Sequence, residues 1–244
     1  MCVYKYVIMM FEPSEFFKFL QRPHYQSTVR KKTNVFISAL KIYFLSLLIL
    51  GLINSLNITI LSNFITLPID ESLTIPSSLS DKLWVYIIIV VILTPIFEEV
   101  IFRLSLVFDP IFIAFSISTL IALAVHKLSN GIFSIISFFL LFFLINRLAS
   151  IFKSILFSFW EKYFKYIFYV LSLLFGLVHI SNYEFVEVSQ YFIAPILVFP
   201  QIAVGFILSF TRLYYEKGFL ICIIFHVLMN LFSVSIFFLQ NAKF

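Results

Sequence analysis

At 244 residues, 62% hydrophobic and only 12% charged, with a mean hydropathy of +1.07, the chain is an integral membrane protein. Soluble domains carry about 25% charged and roughly 45–50% apolar residues, and no polar stretch here is long enough to be carved out as one. The formal charge of +5 is not a nucleic-acid signal, and Cys2 and Cys222, far apart and without metal-type spacing, support neither a disulfide framework nor a thiolate zinc site.

Residues 1–33 read as a cytoplasmic arm rather than a cleaved signal peptide, because the apolar part from Tyr6 to Phe11 is short and is followed by Glu12, Pro13 and Ser14. Phe16, Phe17, Phe19 and Leu20, interleaved with Lys18, Gln21 and Arg22 before Pro23, predict a short helix lying in the membrane surface. The basic run Arg30-Lys31-Lys32 abuts a first span at 35–56. Residues 34–244 then form a transmembrane bundle, with six further spans near 83–107, 111–126, 131–147, 165–183, 190–211 and 219–240. Pro110 and Gly131 punctuate two of them, and 151–160 is a candidate eighth, buried or re-entrant segment. Lys and Arg residues alternate between connections as the positive-inside rule asks. The predicted fold is an all-α polytopic bundle of seven spans, multi-pass in the cell membrane, with a cytoplasmic N-terminus.

The span opening at Leu83 carries Glu98, Glu99 and Arg103. One such charge at a helix centre costs about 2.5–3.5 kcal/mol on translocon scales, so three of them call for pairing or for a wet cavity. Glu99 and Arg103 stand at i, i+4 with the acid first, the favourable order for a helical ion pair. Glu98 points about 100° away and has no sequence-local partner, which calls for a partner on another helix and suits a general base. Of four histidines, His179 and His226 fall inside apolar segments. Gly176 allows close helix approach beside His179, and His226 shares a helical face with Asn230. One Glu and two His from three spans, with an Asn, could hold a water or a metal. The plainer alternative is that each His or Asn serves as interhelical hydrogen-bonding glue.

The ordered set of EExxxR at Glu98–Arg103, FxxxH at Phe175–His179 and HxxxN at His226–Asn230 resembles the CPBP family, the intramembrane CAAX-protease and bacteriocin-processing enzymes also called Abi. The resemblance covers about 83–237. It implies a membrane-embedded metalloendopeptidase in which Glu98, helped by His179, activates a water. His226 and Asn230 would bind that water or the oxyanion, and Glu99 with Arg103 would brace the site. A divalent metal such as zinc on Glu98, His179 and His226 is one implied version, and a metal-free glutamate-activated water is the other. The substrate would be a membrane-associated protein or peptide met in the lipid bilayer. Depth tests this. Glu98 and His226 lie ~10–14 Å from the cytoplasmic ends of their spans by helical rise, whereas His179 would lie ~21 Å from Lys165.

Other membrane-protease chemistries fail on inventory, since there is no HExxH or GxSxG and Asp70, Asp81 and Asp109 all sit in connections. Two rivals use the same residues differently: a transporter or channel with these groups as an ion path, and a catalytically silent immunity or binding protein.

Overall fold

The computed structural model describes residues 13–25, 31–61, 67–70, 75, 82–129 and 131–241; the expectations resting on residues 1–12, Arg30 and Asp81 lie outside these. The described chain is an all-α bundle. After α1 (Pro13–Gln21) and α2 (Val35–Leu61), the span carrying the glutamates is built from α3 (Leu83–Ile88), a π-helical segment (Ile89–Leu93), α4 (Thr94–Phe102) and a 3₁₀ turn (Leu104–Leu106). There follow α5 (Pro110–Leu128), α6 (Gly131–Ile151), α7 (Lys153–Leu177), α8 (Val188–Leu197), α9 (Phe199–Tyr214) and α10 (Gly218–Asn241). Six stretches among the described residues are long and apolar enough to cross a membrane, and α2, 27 residues long, adds a shorter apolar stretch at Val35–Leu48 where the sequence predicts a seventh span.

Local chemistry accounts for the boundaries. Asp109 caps α5 by accepting from the Ile111 amide at 2.8 Å, with Pro110 in the first helical position. Glu187 and Gln190 form a capping box on α8. One span is broken into α8 and α9 at Val198, between Pro195 and Pro200, each of which removes a backbone donor.

The separate eighth segment expected at 151–160 does not exist. Phe152 is a single-residue joint after α6, and α7 runs unbroken from Lys153. The polar side chains of Lys162 and Lys165 read as a connection in the sequence, yet they ride exposed on this long helix.

Packing is uneven. α7 and α9 meet through small residues. A Cβ on Gly176 would lie 2.5 Å from the Ile202 amide nitrogen, and one on Gly205 would lie 2.3 Å from the Ser172 carbonyl. Ser172 and Ser209 hydrogen-bond across the same seam at 2.8 Å. Small residues four apart on both helices let the backbones touch, the usual device for helix association in lipid. α10 lies against α2, α9 and the α3–α4 span. The α5–α6 hairpin joins the bundle through α5, where buried Ser116 donates to the Val100 carbonyl at 2.7 Å, while only 6% of the apolar window of α6 is buried.

Helix α1 forms as expected, but it is docked rather than simply laid on a surface. Phe16 packs edge-on to Phe210 and Phe19 to Phe168, at 5.4 and 5.2 Å between ring centroids, while Phe17 points outward. Tyr214 hydrogen-bonds Glu15, and Lys31 pairs with the α9–α10 turn through backbone bonds to Tyr214 and Glu216. Beside Glu15, Tyr215 is buried, and burial first and the carboxylate second raise its phenol pKa. Two short strands, β1 (Ile69–Asp70) and β2 (Tyr183–Glu184), pair antiparallel with Ile69 opposite Glu184 and so tie two connections together.

Candidate active site

The α3–α4 span presents its two carboxylates differently because of what precedes them. Glu99 is wholly buried, whereas the Glu98 side chain keeps 23% of its surface exposed and faces a cavity. A line of charge runs through the pair. Arg103 Nε lies 3.6 Å from Glu99 Oε2, the helical ion pair expected from the i, i+4 spacing. Glu99 Oε1 accepts from His226 Nδ1 at 3.0 Å, and His226 Nε2 lies 3.5 Å from Glu98 Oε2. The imidazole of α10 therefore sits between the two glutamates and supplies the partner that Glu98 lacked in its own helix. The ion pair is the buried end of this line, where low dielectric strengthens the attraction and makes either charge costly alone.

Phe175 organises the surroundings. The Arg103 guanidinium lies 3.9 Å from its ring centroid, and its ring sits 5.6 Å from that of His226 and 5.3 Å from that of His179. Arg212 in turn donates from Nε to the Arg103 carbonyl at the end of α4, at 3.2 Å. His179, in the 3₁₀ turn (Val178–Asn182) that follows Leu177, and His226 both reach the ring of Phe175. His179 Nδ1 lies 2.8 Å from the Phe175 carbonyl. A carbonyl can only accept, so Nδ1 carries a proton, and in the neutral ring the lone pair lies on Nε2.

Glu98, His179, His226 and Asn230 line one cavity of about 650 Å³, with Phe175 in its wall. The same wall holds Thr94, Asn182, Tyr183, Gln201 and Ser233, which the motifs did not single out. Asn182 reads in sequence only as a helix end, and Gln201 and Ser233 are isolated polar residues with no spacing to mark them. Asn230 donates from Nδ2 to the carbonyl of Val90 at 2.9 Å, a contact that no sequence pattern announced.

The metal set suggested by the sequence is not drawn together. Among the described residues, no three His, Cys, Asp or Glu side chains lie close enough to hold an ion. The physical reason is that His226 directs one ring nitrogen at each glutamate, and His179 spends Nδ1 on a backbone carbonyl.

A polytopic helical membrane protein with a buried carboxylate–imidazole line opening onto a cavity is the class that this geometry defines. A family model over about a third of the chain echoes the likeness to CAAX-type membrane endopeptidases read from the motifs. The family model described as "Rce1-like: Type II CAAX prenyl endopeptidase Rce1-like" matches residues 150–232. The matched stretch contains His179, His226 and Asn230, while Glu98, Glu99 and Arg103 lie upstream of it. No curated protein and no solved structure matches the chain.

Proposed function

We propose that this protein is an intramembrane endopeptidase, hydrolysing a peptide bond of a membrane-associated protein or peptide from a cavity that opens toward the cytoplasm. The observation that carries the reading is the meeting of Glu98, His179, His226 and Asn230, from three separate spans, on one cavity wall. In this reading Glu98 takes a proton from a water whose second hydrogen is held by the Nε2 lone pair of His179. The water oxygen bonds to the scissile carbonyl carbon. The oxyanion is met by the second amide hydrogen of Asn230, the first being committed to Val90, while His226 stays between the two glutamates. Glu98 then returns its proton to the departing nitrogen as the C–N bond breaks, giving one new carboxyl and one new amine. Glu99 and Arg103 hold His226 and the end of α4 in place. Every step uses side chains of this chain.

The test is cleavage of a fluorogenic peptide library by purified protein in nanodiscs, with and without chelator. Glu98→Gln is expected to lower turnover by about 10²–10⁴, the range general-base catalysis supplies. His226→Ala is expected to abolish cleavage. An ion path would instead show flux in proteoliposomes that Glu98→Asp partly preserves. A silent binding protein would cleave nothing and would tolerate Glu98→Gln.

A further inference from the structure

The irregular stretch ahead of the glutamates carries a device that this functional reading does not use. Ile89–Leu93 is π-helical, and the Thr94 amide bonds back five residues to the Ile89 carbonyl. In that register the next carbonyl, Val90, belongs to the amide of residue 95. Residue 95 is Pro95, fully buried and without an N–H. Val90 is therefore the carbonyl that the helix itself cannot satisfy, and in an apolar span an unsatisfied carbonyl is costly. Asn230 Nδ2, arriving from α10, is the group that satisfies it.

Register matters here because one extra residue in a helix rotates everything beyond it by about 100°. α4 follows the π segment directly, so the aim of Glu98 and Glu99 at His226 depends on that extra residue being kept. Single-turn π segments also gather at functional sites, where they re-aim side chains. His226 and Asn230 are one turn apart on α10, so the helix that receives the glutamates also holds the irregularity that aims them.

We infer that Asn230 is a positioning residue: it closes the Val90 carbonyl left open by Pro95 and so holds the π register on which the aim of Glu98 depends. This rests on the endopeptidase reading for its catalytic consequence, but not for the bond itself. A substitution that restores a donor in the main chain should replace Asn230. Pro95→Ala does this, because the new amide of residue 95 faces the Val90 carbonyl in the π register.

The experiment is the cycle of Asn230→Ala, Pro95→Ala and the double variant in full-length protein. The thermal unfolding midpoint in detergent is read first, and kcat and KM on a cleaved peptide second. Asn230→Ala is expected to lower the midpoint and to cut kcat at least tenfold with little change in KM. The double variant is expected to recover at least half of the lost midpoint and part of the lost kcat, the oxyanion contact of Asn230 staying absent. Should Asn230→Ala fail to accumulate, the appearance of folded double variant is the same rescue. A double variant no more stable than Asn230→Ala would overturn the inference. Recovered stability with none of the kcat recovered would overturn the positioning role and leave the oxyanion contact as the amide's whole part in catalysis. If the wild type cleaves nothing, the endopeptidase reading fails while the stability cycle still decides whether Asn230 closes Val90.

Discussion

The α7–α9 seam and the α5–α6 hairpin are built from the same apolar alphabet and do opposite things. α7 and α9 bring backbones together at Gly176 and Gly205, bury a serine–serine bond and stand beside the charged line. α6 is apolar over most of its length, touches little besides α5, and neither of these two helices lines the cavity. In lipid an apolar surface gains nothing by leaving the bilayer for another helix, so hydrophobicity alone does not build a core. What builds it is small residues, hydrogen bonds and paired charge, and these are concentrated where the candidate site lies.

The largest way to break that contrast is to uncouple the buried charges. Glu99→Ala leaves Arg103 fully buried without its ion-pair carboxylate. Removing one member of a buried pair costs about 3–5 kcal/mol, so the variant should lose most of its folded yield in detergent. Glu99→Ala combined with Arg103→Met removes both charges and should recover much of that yield. A single variant as stable as the wild type would mean that the line of charge does not hold this side of the bundle together.

A smaller effect is expected at the seam. A Cβ at Gly176 meets Ile202 backbone atoms at 2.5 and 2.6 Å, and backbone cannot move aside as a side-chain tip can. Gly176→Ala should therefore cost about 1–3 kcal/mol, the range for overpacking a tight core, read as a lowered unfolding midpoint. Because Gly176 stands one turn before His179, peptide turnover should fall further than the midpoint alone accounts for. Turnover unchanged at a lowered midpoint would separate the seam from the site.

Much of this was legible in the sequence, for reasons that differ by feature. Pro110 and Gly131 open α5 and α6 as expected, because a missing donor and a missing side chain act locally. The Glu99–Arg103 pair followed from helical spacing alone. The partners of Glu98 and Glu99 did not, since contact with His226 is set by packing between segments 127 residues apart. Pro95 signals an irregular helix, but the π segment that the chain adopts there and the Asn230 donor that reaches Val90 from α10 are not readable from the local sequence. The docking of α1 was hidden for a similar reason, because aromatic residues at its helical spacing suit a lipid surface and the rings of Phe168 and Phe210 equally well.

The hairpin gives the smallest expected effect and the sharpest check on the comparison. Leu140 and Phe143 on α6 are 62% and 65% exposed, with the outer face of the bundle around them. Replacing either with Ala removes contacts with lipid that lipid can remake, and no cavity opens in protein. The unfolding midpoint should then correspond to a change within about 0.5 kcal/mol, as for substitutions away from packed features. Peptide turnover should be unchanged, since the hairpin contributes no cavity wall. A loss as large as that at Gly176 would show that this face is packed against something in the folded protein. The two regions would then differ in what they pack against, and no longer in whether they are packed at all.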